Sequence, residues 1–518
     1  MAATWPSLLL ISLVTLGTNV FVPTSEASKI LVVLPFSATS HSNVITALSR
    51  ELALRGHTVK AITPYPISNR PANYTEINVA EVLLPYFKTP KVDDEGGVLE
   101  VFKLLLRVSK GICNGVLEMP EVQDLIKSAQ SGDGYDLIIN SMFYCDCFYA
   151  FAHVFNAPLV LISPAGSFPV TDQIVGNPAP PSFVPNIFSS FSDHMTFLER
   201  AQNAMMDFIT IAFHRFVIYP TLNAEMKKGF GESVPTIQEI EKERVSLVLL
   251  NSHHSILYPR PLNPNVVEVG GMHVKPPKPL PQDIKKFMDE AKEGVIYFSL
   301  GSNLKSAEMP EATRDALLAA FAELKQKVLW KWEADNLPGQ PANVKISKLF
   351  ITHGGLLSFQ EAVDRGVPLI GIPFYGDQVL NLNRVVSLGV GLKMDYKSIT
   401  KEYVLKHIRT ILDDNSFKHK MKQLSAVWKD QKESPLERAV YWTEYVIRHD
   451  GAKHLRSAAV DLAWYQYYLL DVIAAAALVI FLVFSIIIGA FCLLCKMCCK
   501  KTKATKKKEG KSSKQKRH

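Results

Sequence analysis

The sequence predicts an α/β protein of two doubly wound domains followed by one membrane-spanning helix. Three observations carry that prediction. β-Branched apolar runs alternate with segments of helical spacing in two separate series, one before residue 270 and one after 282. Residues 271–282 between them are Pro-rich and read as a stiff interdomain linker. Residues 472–495 form a run of 24 residues without a charge, long enough to cross a bilayer with some tilt.

The first domain, residues 28–270, opens with Lys29-Ile-Leu-Val-Val-Leu34, a buried parallel strand ended by Pro35. Residues 42–55 place Val44, Ile45, Leu48 and Leu52 at helical spacing, and Gly56 stands where a helix C-terminus favours glycine. Residues 57–62 are then a second strand, and the three elements make a right-handed βαβ unit. Strands over 135–139 and 158–162 continue the alternation. The second domain, residues 283–450, repeats the pattern with strands at 294–300, 328–332, 350–352 and 368–372 and a helix over 309–325. No repeat of 20–50 residues is visible. Two such sheets facing across a cleft bind ligands beyond the carboxyl ends of their strands.

Composition excludes several classes. In 518 residues, 47% are apolar and 20% charged, which rules out wholesale disorder, and seven cysteines rule out a disulfide-dense scaffold. The net charge of +8 is concentrated in residues 496–518, which carry +10. Without that tail and without Glu26, residues 28–495 sit near −1, so no nucleic-acid partner is expected. Residues 1–27 read as a secretory signal, with a short apolar core at 8–16 and small residues Ser25 and Ala27 at the cleavage position. Residues 451–471 form a juxtamembrane segment whose Trp464, Tyr465, Tyr467 and Tyr468 make an aromatic belt, and the basic tail follows the span. The expected topology is single-pass type I, with both domains lumenal and the tail cytosolic. Lys514 and Lys516 near the terminus resemble a retrieval signal of the endoplasmic reticulum. Asn73-Tyr74-Thr75 is a glycosylation sequon. Cys492, Cys495, Cys498 and Cys499 suit palmitoylation or lipid packing better than zinc, and Cys113, Cys145 and Cys147 establish no disulfide framework.

Chemistry concentrates at strand ends. Ser299-Leu-Gly301-Ser302-Asn303 is a turn that can offer N–H groups and a hydroxyl to a phosphate, and it reads equally as an ordinary βα turn. More specific is the run Ile351-Thr352-His353-Gly354-Gly355 leading into a helix with Ser358 and Glu361, because helix N-termini favour anions. Asp377 and Gln378 close the next strand-end loop.

FITHGGLLSFQEA (350–362), GVPLIGIPFYGDQ (366–378) and the C-terminal span with its lysine tail resemble the membrane-bound animal UDP-glycosyltransferases, with the insect branch the best fit. The resemblance covers residues 28–518. It implies a GT-B fold, with an N-terminal acceptor domain, a C-terminal UDP-sugar domain and a helix near 436–450 crossing back onto the first. It implies His41 as catalytic base, with a carboxylate to orient it. The aligned positions hold Asn140 and Ser141, which leaves Asp146 as the expected partner ahead of Asp136 inside the strand. It further implies that Ser302 and His353, with Gly354, Gly355 and Ser358 in the same turn, hold the diphosphate. Glu361 would bind the ribose, and Asp377 and Gln378 the sugar.

The implied reaction is inverting transfer of a hexose, glucose by the insect resemblance, from a UDP-sugar to small lipophilic hydroxyl compounds. The UDP-sugar serves as co-substrate, and neither a cofactor nor a metal is called for. Association with itself or with homologues stays open. The chain departs from the family between Lys348 and Leu349, where about 14 residues of uridine-binding loop are absent and where neighbouring parallel strands need a crossover of a dozen or more. Either the 344–346 strand leaves the sheet or the second domain is rearranged. The alternative function is a non-catalytic membrane protein that binds lipophiles or regulates homologues.

Overall fold

The computed structural model describes residues 27–86, 98–301, 304–334, 336–347, 354–374 and 376–514. The leader, Ser302, His353 and the 348/349 junction lie outside the described residues, and so do the expectations that rest on them.

The first unit is a seven-stranded parallel sheet. Its strands are β1 (Lys29–Val33), β2 (Thr58–Thr63), β3 (Tyr74–Asn78), β4 (Leu137–Ser141), β5 (Leu159–Ser163), β6 (Val245–Leu250) and β7 (Val266–Glu268). They are ordered β3-β2-β1-β4-β5-β6-β7, so the chain reverses direction across the sheet between β1 and β4. Alternate side chains of β1 serve two cores. Ile30 and Val32 pack on one face with the helix Thr39–Leu54, while Leu31 and Val33 pack on the other with the helix Val98–Leu117. A near-continuous apolar strand is what burial on both faces requires.

The helix Pro435–Arg448 contributes Ala439, Val440 and Val446 to the first of these cores and packs on the helix Thr39–Leu54. The end of the second stretch of chain is therefore part of the first domain's core. A hydrogen-bonded ion pair from Arg55 to Glu437 ties the same two helices at the surface.

The second unit carries β8 (Val295–Phe298), β9 (Lys327–Lys331) and β10 (Val344–Ser347) in the order β10-β9-β8, and a separate pair, β11 (Leu369–Gly371) with β12 (Gly391–Lys393). All of these pairings are parallel. β10 lies beside β9, while residues 348–353, on which the expectation at the departure rests, are outside the described residues. Among the described residues no hydrogen-bonded ladder joins β8 to β11, but Ile296 and Phe298 of β8 and Ile370 of β11 pack on one core. All four residues of β8 are half-buried.

One expectation needs correction. Cys113 and Cys147 form a disulfide that fixes the helix Val98–Leu117 to the turn after β4. Three cysteines at irregular spacing gave no pattern from which to read that pair. The sequon residue Asn73 uses both hydrogens of its amide, donating to the Ala53 oxygen at 2.8 Å and the His57 oxygen at 2.7 Å. A glycan on Nδ2 would displace one of these bonds, so the geometry favours Asn73 as a staple holding β3.

The helix Leu470–Lys514 contains a stretch, Leu470–Met497, long and apolar enough to cross a membrane, with a mean hydropathy of 3.1. It brackets the expected 472–495. Breaking the disulfide, which closes a loop of 34 residues, should cost about 4 kcal/mol by loop entropy. Cys113→Ser should therefore melt well below the parent, and reductant should lower the parent to the same temperature.

Candidate active site

The paired ends of β1 and β4 build the first half of the site. After β1 the chain turns through Phe36 into the helix Thr39–Leu54, whose first turn holds His41. After β4 it delivers Phe143. The His41 ring lies 4.9 Å from Phe36 and 4.9 Å from Phe143, and Phe36 and Phe143 are 4.5 Å apart. Burial among these rings pushes the imidazole down to about 3. The positive end of the helix acts in the same direction. His41 is therefore neutral across the physiological range and open to accepting a proton. Its Nδ1 is 3.3 Å from the Ser40 hydroxyl.

Asp146 does not orient it. The Asp146 Oδ2 is 2.9 Å from Nε2 of His214, and both side chains are buried. Two local features turn the carboxylate that way. Tyr144 adopts a left-handed backbone at φ 54°, which swings the following residues into the domain interior. The chain also makes a π turn over His214–Ile218, a device that re-aims one side chain inside a helix. The rings of Phe143 and Tyr144 lie between the two histidines, with His41–Phe143 at 4.9 Å, Phe143–Tyr144 at 5.6 Å and Tyr144–His214 at 5.7 Å.

His214 also packs edge-on against Tyr219, whose hydroxyl donates to the Glu241 carboxylate at 2.7 Å. Burial, with the nearby Asp146 charge, pushes the Glu241 carboxyl up. Asp146, His214, Tyr219 and Glu241 thus form one interior polar cluster that spacing in the sequence could not assemble. Asp136 is excluded by position: its carboxylate accepts from the Lys29 N–H at 2.7 Å, at the strands' opposite, amino-terminal end.

The second half is the helix Leu356–Arg365, which starts at Gly355 as N-cap. Gly354 before it has φ +82°, and a Cβ there would sit 2.7 Å from Leu382, so glycine is required on both counts. Ser358 is buried in the first turn. Glu361 is half-buried, and burial pushes its carboxyl up to about 7, with Arg365 pulling it down and Asp364 adding to the rise. The Nε2 of His273, a residue of the linker, lies 3.7 Å from the Glu361 Oε1. Burial holds His273 down to about 4, so it faces Glu361 as a neutral ring. Sequence reasoning missed His273; its place two residues after the Gly270-Gly271 pair was the available signal.

Asp377 caps the helix Gln378–Ser387 and accepts from the Asn381 amide at 2.8 Å, and burial raises its carboxyl. The Gln378 side-chain oxygen accepts from the Phe374 N–H at 2.7 Å, which shapes the loop. The turn after β8 is held by Lys331, which donates to the Gly301 oxygen at 2.6 Å and pairs with Glu333 at 2.9 Å.

A family described as UDP-glucoronosyl and UDP-glucosyl transferase matches residues 25–508. The chain belongs to that family. It is 39% identical over 492 residues to UDP-glycosyltransferase UGT5 of Dactylopius coccus, covering 90% of this chain and 92% of the relative. It is 38% identical to UDP-glucosyltransferase 2 of the same insect, covering 92% and 94%. It is also 31% identical to the UDP-glucuronosyltransferase 2A3 of Homo sapiens, covering 86% and 90%.

Solved structures share the fold. The calicheamicin glycosyltransferase CalG4 aligns at a TM-score of 0.52 and 17% identity, covering 82% of this chain and 99% of that one. A UDP-glucosyltransferase from Polygonum tinctorium aligns at 0.53 and 17%, with coverage of 82% and 99%. The protein is thus a GT-B glycosyltransferase that uses a UDP-sugar, and its apolar C-terminal helix fits a single-pass membrane anchor.

Removing one member of the buried Asp146–His214 pair should cost about 3–5 kcal/mol. The variant His214→Ala is expected to melt lower while the pH profile of kcat keeps its shape. A profile that moved with His214→Ala would return Asp146 to the service of His41.

Proposed function

We propose that this transferase moves a hexose, glucose, from its UDP-sugar to hydroxyl groups of small lipophilic acceptors with inversion at the anomeric carbon. The observation that carries the reading is His41, a neutral imidazole in an aromatic setting at the carboxyl end of β1. As the acceptor oxygen bonds to the anomeric carbon, His41 takes the hydroxyl proton and the bond to the diphosphate oxygen breaks, leaving its electron pair on UDP. The amino-terminal N–H groups of the helix Leu356–Arg365, with Ser302, His353, Gly354, Gly355 and Ser358, favour the diphosphate charge. Glu361 accepts from the ribose hydroxyls, and Asp377 and Gln378 from the sugar. The name of the Dactylopius UDP-glucosyltransferase supports glucose.

The same reading places the protein in the endoplasmic reticulum membrane with both domains lumenal and the tail cytosolic. The Cys113–Cys147 disulfide suits an oxidising lumen. A second reading, a lipophile-binding membrane protein without turnover, is favoured by two features. Among the described residues His41 has no carboxylate partner, and β8 and β11 belong to separate hydrogen-bonded ladders.

Two measurements test the first reading. His41→Ala should lower kcat by about 10²–10⁴-fold, the range for a general base, with UDP binding retained; full activity in that variant would refute the assignment. Donor affinity should also follow the protonation of Glu361. A carboxylate accepts from ribose hydroxyls and a protonated acid does so poorly, so affinity should rise with pH through the carboxyl's value of about 7. Glu361→Gln should flatten that dependence.

A further inference from the structure

Where the linker meets the helix Leu356–Arg365, the structure buries an imidazole without satisfying it. Only 3% of the His273 side chain is exposed, and neither ring nitrogen has a hydrogen-bond partner among the described residues. Interior polar atoms left without partners are costly, and most buried ones are paired. A ring kept in that condition is set for a bond that forms in another state of the site.

The surrounding chain fixes where the ring sits. Gly271 has φ +93°, and a Cβ there would lie 2.5 Å from Trp428, so the turn before His273 admits only glycine. Met272 packs in the first domain's core together with Leu357, which precedes Glu361 by one helical turn. On the other side, Arg365 donates to the Lys275 oxygen at 2.8 Å. Held at both ends, His273 lies beside Leu357 and Glu361, with its Nε2 3.7 Å from the Glu361 Oε1.

That separation is too long for a hydrogen bond, and closing it by about 0.5–1 Å would make one. Burial holds the ring down to about 4, against the Leu357 backbone and with Lys275 adding to the fall. A neutral imidazole has one N–H, and on Nε2 it is a donor suited to a carboxylate oxygen. Glu361 is the more open of the two, with 24% of its side chain exposed. A ligand therefore reaches the carboxylate, and the imidazole acts from behind it. Tyr297 on β8 and Asp364 and Arg365 on the helix itself also act on Glu361. An ionised carboxylate has room for about four donors, enough for two ribose hydroxyls and one imidazole.

We propose that His273 is a positioning residue for the donor: its Nε2–H closes onto Oε1 of Glu361 when ribose hydroxyls donate to that carboxylate, and so holds it in the orientation that binds them. The proposal rests on the assignment of Glu361 to the ribose. It makes the linker between the two domains part of the donor site, although His273 itself does not touch the ligand.

The test measures UDP binding by calorimetry on the full solubilised chain, at pH values on either side of the Glu361 value of about 7. His273→Phe keeps a ring and loses the donor. It should bind UDP about tenfold more weakly than the parent above that value, the lower end for a hydrogen bond to a charged group, and match the parent below it. His273→Gln, whose amide offers an N–H, should recover most of the affinity. A UDP analogue lacking both ribose hydroxyls should bind parent and variant alike, and in a Glu361→Gln background His273→Phe should have no further effect. If His273→Phe does not fold, His273→Met, equally without a donor, takes its place. Parent-like UDP binding by His273→Phe at every pH, with Glu361→Gln weakened, overturns the proposal and leaves the ribose assignment standing. An equal loss for UDP and for the analogue overturns it too, because the ring would then only support the fold. Parent-like binding by Glu361→Gln, or no UDP binding by the parent, refutes the ribose assignment, and the proposal falls with it.

Discussion

The buried hydrogen bond from the Gln360 amide to the backbone oxygen of Asn251, 3.1 Å long, sets the geometry on which the rest depends. Asn251 follows directly on β6, so the bond joins the carboxyl end of the first sheet to the helix Leu356–Arg365, which begins the proposed donor site. Around it, Leu356, Phe359 and Val363 share a core with Ile256 and with Trp428. Gly270 makes the close approach possible: a Cβ there would stand 2.5 Å from the Ser252 oxygen and 3.2 Å from the Gln360 amide. The crossing helix Pro435–Arg448 ties the chain back into the first core a second time.

With that junction fixed, one physical effect, removal of solvent, sets both ionisable groups of the proposed reaction. Burial keeps His41 uncharged and raises Glu361 toward neutrality. Among the described residues no carboxylate contacts His41, whose neighbours are the Phe36 and Phe143 rings and the Ser40 hydroxyl. The His41 ring and its flanking Phe36 and Phe143 form a setting in which an apolar hydroxyl compound is better solvated than a sugar phosphate. The helix Leu356–Arg365 offers the opposite. Each substrate class thus has the half that suits it.

Much of the architecture was legible because periodicity reports burial. β1, the βαβ unit and the span all follow from runs whose apolar spacing matches their surroundings. The start of the donor helix at Gly355 was legible from the His-Gly-Gly turn, because only glycine tolerates the backbone and the contact at Gly354. The sequence misled where one backbone angle decides direction. Asp146 is the nearest carboxylate beyond the aligned Asn140 and Ser141, but a left-handed Tyr144 and a π turn at His214 commit it to another partner. Pairing of Cys113 with Cys147 rather than Cys145 is likewise a matter of three-dimensional placement.

The measurement that bears most directly on the central claim, a UDP-sugar transferase whose donor site works in this chain, is the thermal stability of the full solubilised protein with and without UDP. A ligand at 100 times its dissociation constant stabilises by about 2.7 kcal/mol, a saturable rise that a melting curve resolves. The account predicts that rise with UDP and none with an equal concentration of inorganic phosphate. A melting temperature unmoved by UDP, with the protein folded and its disulfide intact, would contradict it and leave the lipophile-binding reading in its place.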